Sequence, residues 1–120
     1  MLYFYNMSRP KNDDAVYKAL ADHRRREILD LLKDEPKTTG NLCSHFKNLD
    51  RCTVMQHLGV LEKAGLIIAK REGRTRWNYI NVVPIREIYD RWINKYASPS
   101  VELLTKLKRD LEDDSNNAPF

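Results

Sequence analysis

Residues 50–80 read DRCTVMQHLGVLEKAGLIIAKREGRTRWNYI, and the period of their apolar residues changes once along the way. Val54, Leu58 and Leu61 recur at steps of four and three, the spacing that stacks side chains on one helical face. Asp50 stands where an N-cap oxygen is needed, and Gly65 where a helix ends in the left-handed region. Beyond it, LIIAKR and TRWNYINV are rich in β-branched and aromatic residues, with Glu72-Gly73-Arg74 as a turn between them. A capped helix running directly into a hairpin with a basic tip decides the architecture.

Upstream, Asn12-Asp13-Asp14 offers N-cap oxygens for a first helix that aligns Val16, Ala19 and Leu20. Asp22 caps a second helix, with Ile28, Leu31 and Leu32 inward and Pro36 as its stop. Thr38 or Thr39 caps a third over residues 40–49, with Leu42, Phe46 and Leu49 at core spacing. Downstream, Pro84 opens a fifth helix over 85–97, in which Ile85, Ile88, Tyr89, Trp92, Ile93 and Tyr96 repeat at three- and four-residue steps. A sixth follows Pro99, with Val101, Leu104, Leu107 and Leu111 along one stripe. The class is mainly α with a small β-hairpin, and the order is that of a winged helix-turn-helix with extra C-terminal helices. The expected organisation is an N-terminal arm over 1–11, the winged domain over 12–83, dimerising helices over 84–113 and a flexible tail over 114–120.

The totals fit one modest domain: 120 residues, 42% apolar and 32% charged. No apolar run approaches the roughly 20 residues that cross a bilayer. MLYFYNMSRP at the start lacks a basic leader and a small-residue cleavage site, so it reads as an arm, a dimer-packing segment or an upstream start ahead of Met7. Two cysteines do not make a disulfide framework, and a reducing cytoplasm is expected. Net charge is only +4, but its placement is uneven. Between Asn41 and Tyr79 lie Lys47, Arg51, Lys63, Lys70, Arg71, Arg74 and Arg76, against Asp50, Glu62 and Glu72. Positive charge concentrated on one helix and one hairpin suits a phosphate backbone.

At about 100° per residue, Cys52, Gln56, Gly59 and Lys63 fall opposite the apolar stripe of the fourth helix, with Met55 at the edge. Glutamine pairs with adenine through two hydrogen bonds, and Gly59 removes a side chain where a duplex would approach. Arg51 and Thr53 occupy the first turn, where helix N–H groups favour a phosphate. A polar outer face is also what any solvated helix shows, and Arg71, Arg74 and Arg76 are also ordinary surface arginines. Three of them framing one turn favour backbone contact. No Ser-His-Asp set, phosphate loop or paired carboxylate cluster points to an enzyme, and no cofactor is expected.

KALADHRRREILDLL, VMQHLGVLEKAGLI and KREGRTRWNYI together resemble the ArsR-type winged helix-turn-helix regulators over residues 13–96. The resemblance implies a dimeric DNA-binding transcriptional regulator, most often a repressor released by a ligand. Its base-reading positions correspond to Cys52, Met55 and Gln56. Met55 stands where the family usually has serine and His23 where proline is common, and because of Met55 the resemblance does not extend to which operator is read.

CSHFKNLDRCTVMQH (43–57) gathers both cysteines and two of three histidines, yet it reads poorly as a metal trap. Cys43 and His45 lie about 200° apart on a helix and Cys52 and His57 about 140°, and no pair has the four-residue step of helical zinc motifs. The family's thiol site is Cys-x-Cys where Cys43-x-His45 stands, and its carboxylate–histidine site on the last helix lacks any histidine after His57. No metal ligand is therefore assigned. Cys43 reads as a half-buried filler, and His57 as packing beside the core or touching a phosphate. A metal-responsive repressor using Cys43 and His45, and a winged-helix interaction module without DNA, are the alternatives. The expected partners are a near-palindromic double-stranded operator and a second copy, with no membrane. Tyr89, Trp92, Ile93 and Tyr96 are the expected dimer surface, with intramolecular packing as the other use of the same residues.

Overall fold

The computed structural model of the chain describes residues 9–97 and 99–116. Its elements are α1 (Arg9–Leu20), α2 (His23–Leu32), β1 (Lys37–Thr38), α3 (Thr39–His45), α4 (Arg51–Lys63), β2 (Ile67–Glu72), β3 (Thr75–Ile80), α5 (Val83–Arg91), a 3₁₀ turn (Ile93–Lys95) and α6 (Pro99–Asn116). This is a winged helix-turn-helix, mainly α with a small antiparallel sheet. No helix among the described residues is long and apolar enough to cross a membrane. The chain divides into two compact units after Arg86.

Local chemistry explains most boundaries. Asp22 Oδ1 accepts from the Arg24 N–H at 2.8 Å and Thr38 Oγ1 from the Asn41 N–H at 3.1 Å, so α2 and α3 begin where their caps stand. Asp50 Oδ1 accepts from the Thr53 N–H at 2.7 Å to start α4, and that bond holds the Asp50 carboxyl below the usual range. At the other end the Leu66 N–H donates to Leu61 O at 2.9 Å and the Gly65 N–H to Glu62 O at 3.0 Å. Gly65 has φ +80°. This pair of bonds is a Schellman close, and glycine adopts its left-handed residue without strain. Gly73 (φ +63°) heads the two-residue hairpin loop and Arg74 keeps a negative φ, the pattern of a type II′ turn.

The core of the first unit collects Val16 and Ala19 of α1, Ile28, Leu29 and Leu32 of α2, Leu42 and Phe46 of the α3 region, and Leu66 and Ile67 at the start of β2. Val54, Leu58 and Leu61, the stripe that predicted α4, are each 0% exposed. Asn81 secures the corner behind α4: its side chain donates to Gly65 O at 2.9 Å, and its backbone N–H donates to Leu66 O at 2.8 Å. Its Oδ1 also accepts from the Val83 N–H at 3.2 Å, which begins α5.

Several expectations are corrected. α1 begins at Arg9, with Pro10 in its first turn, so Asn12-Asp13-Asp14 lies within the helix rather than capping it. In α2, Leu29 rather than Leu31 completes the buried face. α3 stops at His45, leaving Leu49 in a turn and half-buried. Lys37–Thr38 pairs with β3 (Lys37 opposite Asn78, Thr38 opposite Trp77), so the hairpin becomes a three-stranded sheet of order β1-β3-β2. The fifth helix does not reach residue 97. It breaks at Trp92 (φ −138°, ψ −53°) and a single 3₁₀ turn follows. α6 continues to Asn116, so residues 114–116 are helical. The expectations for residues 1–8 and 117–120 lie outside the described residues.

The buried stripe of α4 yields a stability test. Leu58→Ala is expected to cost about 2–5 kcal/mol in urea unfolding, the usual loss for a leucine cavity. Val60→Ala, two residues on and 40% exposed, should change stability by no more than about 0.5 kcal/mol. Equal losses at the two positions would mean that α4 is anchored by another face.

Candidate nucleic-acid interface

With Val54, Leu58 and Leu61 sealed, the rest of α4 is dictated by its pitch. Arg51, Cys52, Gln56, Gly59 and Lys63 are exposed, while Thr53 and Met55 are half-buried at the margin. Gly59 lies on the outward side, where an added Cβ would meet nothing within 4 Å. The outer face found by counting angles is therefore the solvent face.

The hairpin brings a second set of cations to this helix. A cleft of about 340 Å³ is lined by Arg51 and Met55 of α4, by Arg71, Arg74, Thr75 and Arg76 of the hairpin, and by residues 38–40 at the start of α3. Arg51, Arg71 and Arg74 have no acidic partner among the described residues. Three exposed guanidiniums around one concave surface repel one another, and an anion seated there relieves that repulsion. Arginine offers a planar, two-pronged donor suited to phosphate oxygens.

Arg76 also lines the cleft but is bonded within the protein. Its Nη2 donates to Glu62 Oε1 at 3.0 Å and its Nε to Asn78 Oδ1 at 3.2 Å, and its side chain is 18% exposed. One edge of its guanidinium is thus filled from within the protein. Lys63 and Cys52 sit on the exposed face of α4 but do not line the cleft.

His57 turns away from the outer face. Arg25 of α2 donates through Nη1 to its Nδ1 at 3.2 Å, while the same guanidinium reaches Ala19 O through Nε at 2.7 Å and Lys18 O through Nη2 at 3.0 Å. One arginine thus links the last turn of α1 to α4. An Nδ1 that accepts from arginine puts the imidazole proton on Nε2, which is buried with no hydrogen-bond partner among the described residues. Burial pushes the imidazole pKa down, Arg25 and Arg24 add to that, and Asp22 works against it. Sequence reading missed this link because Arg25 sits inside a run of three arginines that looks uniformly solvated.

Elsewhere, His45 Nε2 meets Glu27 Oε2 at 2.6 Å, and Cys43 is half-buried. Among the described residues no three His, Cys, Asp or Glu side chains gather to hold a metal ion. In the second unit Trp92 and Tyr96 are 52% and 58% exposed and meet edge to face at 5.3 Å between ring centroids. Tyr89 and Ile93 are half-buried. The helix break at Trp92 separates these residues from the single stripe that the spacing suggested.

Comparison with known proteins agrees with this geometry. A family described as a helix-turn-helix domain matches residues 20–68. The chain is similar to the uncharacterised HTH-type transcriptional regulator YuzN of Bacillus subtilis (strain 168), 35% identical over 68% of this chain and 96% of that protein. It is also similar to the transcriptional repressor SdpR of the same organism, 33% identical over 66% of this chain and 87% of that protein. Among solved structures, an ArsR family transcriptional regulator superposes with a TM-score of 0.66 at 28% identity, covering 73% of this chain and 89% of that one.

The buried imidazole generates a pH dependence. Its folded pKa lies below the ordinary value of 6.5, so the unfolded state takes up the proton first as the medium is acidified. Stability is therefore full above about 6.5 and declines as pH falls from there towards the lowered folded value. Thermal melting at pH 8 and pH 5.5 should show a larger drop for the native chain than for His57→Gln. Parallel drops in the two proteins would contradict a neutral His57 wedged against Arg25.

Proposed function

The chain belongs to the ArsR-type winged helix-turn-helix transcriptional regulators, DNA-binding proteins rather than enzymes, and from that premise we propose that it works as a dimeric, sequence-specific repressor in the cytoplasm. The observation that carries this reading is the shared cleft: Arg51 of α4 and Arg71 and Arg74 of the wing face one concave, uncompensated positive surface. In the proposed complex α4 lies in the major groove with Gln56 against base edges and Cys52 and Met55 beside it. Arg51, Thr53 and Lys63 take phosphates flanking the groove. The wing sets Arg71 and Arg74 against the adjacent backbone, and a phosphate occupies the cleft between wing and helix.

Repression is supported by the similarity to SdpR, a transcriptional repressor. Dimerisation is supported by exposed apolar side chains in the second unit: Trp92 and Tyr96, and Leu103, Leu104, Leu107 and Leu111 of α6, all more than half exposed. Patches of that kind on a small protein mark an interaction surface. One winged domain alone buries too little surface on DNA for tight specific binding. Tyr89 and Ile93 join Trp92 and Tyr96 in the proposed interface. Two-fold symmetry then makes the operator a near-palindrome with half-sites about one helical turn apart. Release follows if a ligand binds better to an arrangement in which the two recognition helices no longer match that spacing.

The experiment is selection of fragments from a random DNA pool by the purified protein, followed by fluorescence anisotropy on the recovered operator over a salt series. Recovery of a near-palindrome with strongly salt-dependent affinity is expected; a pool that stays random with no salt dependence would refute the reading. Arg74→Ala should weaken binding to all sequences alike and reduce the slope of log affinity against log salt by about 0.9, the share of one phosphate. Gln56→Ala should cost about 1–3 kcal/mol on the operator and little on scrambled DNA; an equal loss on both would remove Gln56 from base reading.

A further inference from the structure

Arg76 lies directly across the hairpin from Arg71 in the register of β2 and β3. Like charges facing each other on adjacent strands disfavour the pairing, so some group must offset one of them. Glu62, on the last turn of α4, does this through its 3.0 Å contact to Arg76 Nη2. The wing is thereby bonded by a charge-assisted contact to the helix it flanks.

The second half of the connection is buried. Asn78 is 0% exposed in β3, two residues from Arg76 and on the same side of the strand. Its Oδ1 accepts from Arg76 Nε, and its Nδ2 donates to Lys37 O at 3.2 Å and to Thr39 Oγ1 at 3.1 Å. Both amide hydrogens are used, and a flipped amide would set a donor against the Arg76 Nε–H and an acceptor against Lys37 O. The orientation is therefore unique. Lys37 belongs to β1 and Thr39 opens α3. A continuous chain of bonds thus runs from α4 through the wing to the start of α3, the three elements that wall the cationic cleft.

From this geometry we infer that Arg76 is a positioning residue rather than a phosphate contact, and that the Glu62–Arg76–Asn78 relay fixes the angle between wing and recognition helix. The inference rests on the DNA-binding reading above and assigns Glu62 a role within it. Because the relay sets how far Arg74 and Arg71 stand from Arg51, it governs which backbone phosphate they meet when α4 is in register with its bases. Its loss lets the wing swing while every phosphate-facing cation remains.

The test separates the two uses of Arg76 by salt and sequence dependence. With Arg76→Ala the affinity ratio of operator to scrambled DNA should fall about tenfold, the size of one lost base-pair contact, and the salt slope should stay at the native value. Glu62→Ala, at a side chain 46% exposed where folding is not at stake, should reproduce that fall, and the double variant should be no worse than either single one. Arg76→Lys keeps the charge but loses the rigid planar edge that holds Glu62 and Asn78 at a fixed spacing, so it should show most of the loss seen in Arg76→Ala. A salt slope reduced by about 0.9 in Arg76→Ala, tighter non-specific binding in Glu62→Ala, or native behaviour of Arg76→Lys would each overturn the inference. If Arg74→Ala flattens the slope as expected while Arg76→Ala does so too, the relay falls and the DNA-binding reading stands. If the native protein binds no DNA, both fall.

Discussion

Everything in this molecule depends on one constraint: a thirteen-residue helix must hide three aliphatic side chains and leave the remainder of its circumference wet. Val54, Leu58 and Leu61 achieve complete burial because α2, α3 and the start of β2 supply matching apolar surface. A helix held along one seam has no rotational freedom left. The identity of its outward residues is then settled by pitch alone, and the direction in which they point is settled by where the core lies. The hairpin follows from the same seam, since the Schellman close at Gly65 sends the chain straight from α4 into β2.

Electrostatics is layered on that frame in two different ways. The arginines at 51, 71 and 74, which have no acidic partner among the described residues, leave the cleft surface positive. Arginines bonded within the fold, at 25 and 76, link elements: each donates to oxygen or nitrogen atoms on two separate elements. The five donors of a rigid planar group make arginine suited to both tasks. Net charge alone cannot distinguish them, because a linking arginine and one without an acidic partner count equally.

That distinction also explains what the sequence could and could not convey. The caps at Asp22, Thr38 and Asp50, the stripe of α4, the turn at Gly73 and the solvent face of Cys52, Gln56 and Lys63 were legible, because each is a local pattern of spacing and side-chain chemistry. β1 was not, since a two-residue strand has no period and exists only because β3 offers it an edge. Leu29 replaced Leu31 because the buried arc of α2 is set by neighbours on both sides, not by the helix's own symmetry. The break at Trp92 was hidden beneath a run of apolar residues at helical spacing. The internal bonds of Arg76 and His57 were not legible for a common reason: their partners, Glu62 and Arg25, are 14 and 32 residues away, and only the folded chain brings them within reach.

Gly59 carries one more implication. It sits in the middle of the rod, faces outward, and has room for a methyl group in every direction the subunit controls. Alanine would suit the isolated protein better, by about 1 kcal/mol in a helix interior. The chain therefore accepts a helix-weakening residue in the middle of α4, with no side chain among the described residues packed where its Cβ would be. In the proposed DNA complex, that bare stretch of α4 would let another molecule's surface come closer to the backbone than a side chain would permit.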